Sequence, residues 1–287
     1  MRPLRLRIKH AGRQRGILQP VIEKDYAISY LLAGLASLPA LRDPLVLKGG
    51  TALKKLFFGD YRFSEDLDFS GQDAPKGERL EDAFRAAVDE AARLLSAHGP
   101  FSVEFERYLE REPHPHGQEA FTIRVQFPWH PRPLCRIRAE ITHDEPVLLA
   151  PEKRRLIHGY DEEDLPVELC CYRLDEIVAE KLRTLLQTHQ KLITRGWTRP
   201  HARDYYDLWR ILDAFGDSLE HEQFGLLLER KCEHRGVSFL GLDDFFSDAL
   251  VAEAHLHWDA NLRPFVAQLP ECDEVLGRLK AGLRNLF

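Results

Sequence analysis

Lys48-Gly-Gly-Thr-Ala-Leu-Lys-Lys55, followed by Arg62-Phe-Ser-Glu-Asp-Leu-Asp68, is the stretch on which the fold turns. Just upstream, Leu45-Val46-Leu47 is a short apolar run behind the chain break Asp43-Pro44, and it reads as a buried strand. Gly49-Gly50 permits a tight backbone turn, and Thr51 to Phe58 reads as a helix that starts there. Gly59-Asp60 makes a turn, and Ser64 to Ser70 alternates polar and apolar residues as a strand does. On such a strand Asp66 and Asp68 share one face, while Leu67 and Phe69 point into the core. Two neighbouring carboxylates repel unless a cation lies between them. Mg²⁺ is the natural answer, because it takes one or two carboxylates together with substrate phosphates; Mn²⁺ is the alternative ion. A turn that opens a helix adds N–H groups for phosphate oxygens. The stretch therefore points to metal-assisted chemistry on a nucleotide, set against two solvent-facing aspartates on an edge strand.

Outward from this stretch the pattern is regular. Val21 to about Leu38 has helical spacing through Ala27, Tyr30, Leu31 and Leu35, and Lys76 to Ala97 is an amphipathic helix with Leu80, Phe84, Ala87 and Ala91 on one stripe. Strand-like runs follow at Phe101–Leu109, Ala120–Phe127 and Leu134–Thr142. Pro113-His114-Pro115-His116-Gly117 reads as a hairpin loop rather than a metal site. Beyond Leu174 the pattern is helical, over 175–190, 202–215, 221–231, 243–257 and 271–286. The expected class is α+β, with a nucleotide-handling domain at 1–160 and a helical domain at 161–287.

Composition narrows the functional classes. The 287 residues are 44% hydrophobic and 30% charged, enough to bury a core. A net charge of −6 argues against a general polyanion binder, so any nucleic-acid contact must be local. Two candidates are the N-terminal Arg2, Arg5, Arg7, Lys9, Arg13 and Arg15, expected as a solvated arm or edge strand, and the cluster Lys153, Arg154, Arg155. Five cysteines with no CxxC pair suggest neither zinc nor a disulfide framework, which fits a reducing cytoplasm. No apolar run approaches the length of a membrane span.

A third carboxylate would complete a metal-binding set. In Arg136-Ile-Arg-Ala-Glu-Ile-Thr142, the residues Arg138, Glu140 and Thr142 share a strand face, which makes Glu140 the candidate. The plainer reading pairs Glu140 with a neighbouring arginine, and Asp144 and Glu145 are the fallback. In the helical half, Tyr205, Leu208, Trp209 and Leu212 form a buried stripe with Asp204 and Asp207 beside it. Those aspartates suit catalysis or salt bridges with Arg203, Lys181 or Arg183. Glu176 and Glu180 read as structural.

KGGTALKK followed by RFSEDLDFS resembles the first motif of the AbiEii/AbiGii-type nucleotidyltransferase toxins, MenT-like members of the DNA polymerase β-like superfamily. Glu23-Lys-Asp-Tyr26 resembles that family's leading helix, Glu176-Ile-Val-Ala-Glu-Lys-Leu-Arg183 its lysine-bearing helix, and Arg203-Asp-Tyr-Tyr-Asp-Leu-Trp209 its final motif. The matches run in order from about residue 23 to 212 and leave the tail uncovered. The resemblance implies a polymerase β-like fold. It also implies nucleotide contacts from Gly49, Gly50, Thr51, Ser64 and Lys55, metal ligation by Asp66 and Asp68, a triphosphate contact from Lys181, and Asp204 or Asp207 near the acceptor.

The expected reaction is attack of an acceptor hydroxyl on the α-phosphate of an NTP, with RNA such as the tRNA 3′ end as acceptor and a cognate antitoxin as partner. Transfer to a protein or small molecule, γ-phosphoryl transfer as in a kinase, and a catalytically silent NTP- or partner-binding module are the competing readings.

Overall fold

The computed structural model describes residues 2–108, 117–160 and 163–286. Of the expected hairpin loop, residues 113–116 lie outside them. The chain divides into two compact units, Met1–Tyr172 and Arg173–Phe287. The division falls later than residue 160 because one further strand, Glu168–Cys171, joins the sheet of the first unit.

That sheet has seven strands, β1 (Leu45–Lys48), β2 (Leu67–Gly71), β3 (Ser102–Tyr108), β4 (Gln118–Gln126), β5 (Cys135–Thr142), β6 (Glu152–Arg155) and β7 (Glu168–Cys171). Their order is β3-β4-β5-β2-β1-β7-β6. The sheet is mixed: β1 runs parallel to β7 and β2 parallel to β5, while the remaining neighbours are antiparallel.

Alternation along the strands sorts the two faces. Phe105, Phe121, Ile123, Ile137, Ala139, Ile141, Leu67, Phe69 and Leu47 make the apolar face. Two long helices, α2 (Gln19–Ala36) and α5 (Glu78–Ser96), supply its cover. Phe84 of α5 stacks on Phe121 at 4.7 Å, and Phe121 on Phe105 at 5.2 Å. The two helices cross closely at Gly34, where a Cβ would meet the Ala87 carbonyl oxygen at 2.2 Å. Lys48, Asp68, Arg138, Glu140, Ala120, Thr122 and Tyr108 belong to the other face by the same alternation.

The N-terminus corrects an expectation. Instead of an arm or edge strand, Leu4–Arg15 is helix α1, ended by Gly16 in the left-handed conformation at φ 62°. Leu4, Ile8 and Ala11 lie one turn apart and are buried against α2, so the basic residues ride on an amphipathic helix. Arg7 is buried and bonds the Glu163 carboxylate, and Arg15 donates to the Gly159 carbonyl at 2.8 Å. A short helix α3 (Pro39–Arg42) leads into β1. After β1 come α4 (Gly49–Ala52) and a π-helical turn, Leu53–Phe57, in place of the uniform helix expected from Thr51.

The second unit is helical throughout its described residues: α6 (Leu174–Arg195), α7 (Ala202–Phe215), α8 (His221–His234), α9 (Asp248–Leu262) and α10 (Cys272–Leu283), with short 3₁₀ turns at Gly216–Ser218 and Leu242–Phe246. The helix expected over 243–257 is broken at Ser247, whose extended backbone separates the second 3₁₀ turn from α9. Inside the unit, Lys231 of α8 pairs with Glu176 of α6 at 2.7 Å, both fully buried, so Glu176 is structural. Among the described residues no helix is long and apolar enough to cross a membrane.

Candidate functional site

The first unit gathers most of the expected residues at the junction of β1, α4 and β2. Gly49 has φ 69°, a conformation that favours glycine, and a Cβ there would stand 3.0 Å from Asp68 Oδ2. The turn therefore brings backbone against carboxylate. A Cβ on Gly50 would meet Arg62 Nη2 at 2.6 Å and Ser64 Oγ at 3.1 Å, so Ser64 and the buried Arg62 border the same turn.

Asp66 and Asp68 are not on one regular strand. β2 begins at Leu67, and Asp66 is exposed on the approach to it. The Asp66 carbonyl accepts a hydrogen bond from the buried Thr51 hydroxyl, which ties the approach to α4 rather than to the ladder. Thr51 thus fixes the segment bearing Asp66.

Glu140 stands beside Asp68. In the parallel pairing of β2 with β5, Asp68 is the register partner of Glu140, and across the other edge of β2 it is the partner of Lys48. Strands lie about 4.8 Å apart, so two carboxylates and a lysine occupy one row on one face. Arg138 Nε also lies 2.6 Å from Glu140 Oε1 as an ion pair, so the plainer pairing read from the sequence is present as well. Lys48 was missed as a site residue. Its signal was its place at the end of the apolar strand, two residues before the second glycine. Its ammonium lies 5.6 Å from the Tyr172 ring, and the Tyr172 hydroxyl meets Ser70 Oγ at 2.7 Å.

Lys55, expected beside the nucleotide, is not there. It is 1% exposed and points into the core, where it pairs with Asp25 Oδ1 of α2 at 2.7 Å and donates to the Asp25 carbonyl and Ser29 Oγ. A charge this deep needs such partners, which makes Lys55 a bolt between the π turn and α2. Asp25 also accepts from Tyr160 at 2.9 Å. The fallback carboxylates differ: Asp144 is exposed and Glu145 buried, both beyond the end of β5.

In the second unit, Lys181, Asp204 and Asp207 form a cluster of their own. Lys181 Nζ lies 2.8 Å from Asp204 Oδ1 and 2.7 Å from Asp207 Oδ2, with Asp207 fully buried. His201, which the sequence reading passed over, bonds Asp204 Oδ2 through Nδ1 at 2.9 Å. Burial alone would raise the Asp204 carboxyl, but the Lys181 charge and the His201 hydrogen bond hold it well below the usual range. The His201 amide donates to Glu253, whose carboxyl burial pushes up.

The basic cluster at the β6 edge is paired. Lys153 lies 3.6 Å from Asp43, Arg155 bonds Asp164 at 3.1 Å, and Arg154 forms an ion pair with Glu152 at 3.1 Å while covering the Phe57 ring. Arg42, Lys153 and Arg155 line a cleft of about 600 Å³.

A Gly-Gly turn packed on a register-paired set of carboxylates, in a mixed sheet backed by two helices, fits the class of nucleotidyltransferases. The chain belongs to the AbiEii family: the family model described as nucleotidyl transferase AbiEii toxin, type IV toxin–antitoxin system, matches residues 30–278. Among solved structures it is similar to MenT4, the nucleotidyltransferase toxin Rv2826c from Mycobacterium tuberculosis H37Rv, at 22% identity and TM-score 0.62, covering 97% of this chain and 88% of that one. It is also similar to a nucleotidyltransferase candidate from H. pylori, at 19% identity and TM-score 0.58, covering 93% and 94%. No curated protein sequence is similar enough to match. The protein is thus a nucleotidyltransferase toxin of a type IV toxin–antitoxin system, which implies an NTP substrate and an antitoxin partner.

Proposed function

We propose that the enzyme transfers a nucleoside monophosphate from an NTP to the 3′ end of RNA, such as tRNA, with a divalent metal ion, in the cytoplasm. The observation that carries this reading is the row of Lys48, Asp68 and Glu140 beside the Gly49 turn. The donors are all oxygens. Among the described residues no three His, Cys, Asp or Glu side chains are grouped to hold an ion. The register pair Asp68 and Glu140, with Asp66 on the approach to β2, would hold an oxygen-taking ion such as Mg²⁺ or Mn²⁺ only together with substrate phosphate and water, and when bound it would neutralise phosphate charge.

The remaining work falls to the chain. The backbone at Gly49 and Gly50 and the Ser64 hydroxyl face the phosphates, and Thr51 holds the Asp66 segment in place. An acceptor hydroxyl oxygen forms a bond to the α-phosphorus as the bond to pyrophosphate breaks, and the hydroxyl proton passes to solvent. Lys181, for which the resemblance implies a triphosphate contact, is paired with Asp204 and Asp207. Asp204, ionised and bound to Lys181 and His201, suits holding that lysine better than removing a proton.

The test incubates pure protein with Mg²⁺, total tRNA and each α-³²P-labelled NTP, beside Asp66→Ala. Label on tRNA that is lost in the variant and with EDTA supports the reading. Label on a protein or small molecule moves the acceptor, label transferred only in a parallel reaction with γ-³²P-labelled NTP makes the enzyme a kinase, and no label from either position on any acceptor in cell extract makes the site a binding module.

A further inference from the structure

The carboxylate row does not stop at Glu140. Across β5 and β4, Glu140 is the register partner of Ala120, and across β4 and β3, Ala120 is the partner of Tyr108. Lys48, Asp68, Glu140, Ala120 and Tyr108 therefore form one transverse row on the polar face of the sheet. Ala120 is the only one of the five with no side chain beyond Cβ, and it is buried. Tyr108 is 40% exposed, unusual for an aromatic residue in a strand whose other face is packed. The Arg138 guanidinium lies 4.5 Å from the centre of its ring and forms an ion pair with Glu140, Nε to Oε1 at 2.6 Å, so one arginine links the aromatic ring to the carboxylate row.

We infer that Tyr108, backed by Arg138, is a stacking platform for a nucleobase of the RNA acceptor, that of the nucleotide preceding the one whose hydroxyl reacts. This rests on the reading of the carboxylate row as the transfer site. Three strand spacings separate Tyr108 from Asp68, roughly 14 Å. A nucleotide's base lies closer than that to its own phosphate and to its own 3′-hydroxyl. The backbone span therefore exceeds the reach within one nucleotide, and the next base along a single strand covers it most readily. Charge supports stacking over phosphate attraction. Arg124, Arg136 and Arg138 on this face are matched by Glu104, Glu106 and Glu140, and Glu106 bonds Arg124 at 2.7 Å. A face so balanced gains little from counterion release, but an aromatic ring offers its surface to any base.

The test uses a 5′-fluorescein single-stranded RNA oligonucleotide, read by anisotropy, and α-³²P transfer onto the same oligonucleotide. A second oligonucleotide has an abasic residue at the penultimate position. Tyr108→Ala is expected to weaken RNA binding and raise the acceptor KM by about 10-fold, within the range of a lost base stack, with the NTP KM unchanged. Tyr108→Phe and Tyr108→Trp should restore both. The abasic acceptor should lose the same factor on the wild type and nothing further on Tyr108→Ala. A rise in the NTP KM instead, additive effects of the abasic residue and the variant, no effect of Tyr108→Ala on RNA binding, or no RNA binding by the wild type would each overturn the inference. RNA bound through Tyr108 by an enzyme that transfers no label to it would sink the transfer reading and leave the platform standing.

Discussion

Asp68 on β2 and Glu140 on β5 are register partners in the parallel part of the sheet, although 71 intervening residues separate them in the chain. Their proximity is a product of strand pairing, and it yields the first prediction. Asp68→Asn and Glu140→Gln should each lower kcat by about 100-fold or more while leaving the melting temperature nearly unchanged, because both side chains are part-exposed. Activity assays alongside thermal melts check this. Full activity in the folded Glu140→Gln protein would remove Glu140 from the metal set.

Gly49→Ala should hurt function more than a surface alanine has any reason to. The backbone there sits at φ 69°, and the new Cβ would press on Asp68 Oδ2 at 3.0 Å. A left-handed alanine costs on the order of 1 kcal/mol, so the protein should fold with a slightly lower midpoint in urea. Displacement of the Asp68 carboxylate should raise the NTP KM, lower kcat, or both. Wild-type kinetics in this variant would show that the turn tolerates bulk and does not shape the site.

Lys55 separates a structural from a nucleotide-binding role. Lys55→Met leaves Asp25 buried without its cation, which typically costs about 3–5 kcal/mol. Urea unfolding should show that loss, and Asp25→Asn should show one of similar size. Activity per folded molecule should stay near wild type for Lys55→Met. A selective rise in the NTP KM with unchanged stability would return Lys55 to the nucleotide.

Acid stability should track the cluster around Glu163. This carboxylate accepts from Tyr26, Tyr30 and His158 and bonds Arg7, joining α1 and α2 to the segment that precedes β7. Burial alone would raise its carboxyl, but the hydrogen bonds from His158, Tyr30 and Tyr26 outweigh burial and hold it at about 2, below the ordinary 4.5. A depressed carboxyl stabilises the fold fully above 4.5, and that stability is lost as pH falls toward 2, where the folded state must take up the proton too. Burial also lowers the His158 imidazole, so a cost begins as pH falls below its ordinary 6.5, when the unfolded chain protonates first. Both act in the same direction. Unfolding free energy should therefore decline on acidification. Glu163→Gln should flatten the decline between about pH 4.5 and 2, and His158→Gln the part nearer neutrality. Identical slopes in all three proteins would show that the cluster does not couple to acid unfolding.

Much of this was readable in the chain because it is local. A strand ending in Gly-Gly, a helix opening behind it, and the amphipathic stripe Leu80, Phe84, Ala87, Ala91 depend on neighbours within a few residues. The resemblance carried by residues 48–68, 176–183 and 203–209 added the family. Short-range reading failed where distant parts of the chain set the outcome. Residues 1–16 look like a loose basic arm until Leu4, Ile8 and Ala11 find α2. Lys55 looks like one more cation of a phosphate motif until Asp25 and Ser29 enclose it.

What the sequence determined by itself was the class of fold and the kinds of group at its centre: a glycine turn, two aspartates, a lysine helix. What only the tertiary structure decided was which of these stand together. Register between β2 and β5 put Glu140 at Asp68, a Thr51 hydrogen bond holds the Asp66 carbonyl just before the ladder begins, and the core claimed Lys55. The reason is that a periodicity of two or 3.6 residues fixes which face a side chain takes. Which partner shares that face is set by pairing and burial across long stretches of chain, and no local pattern encodes it.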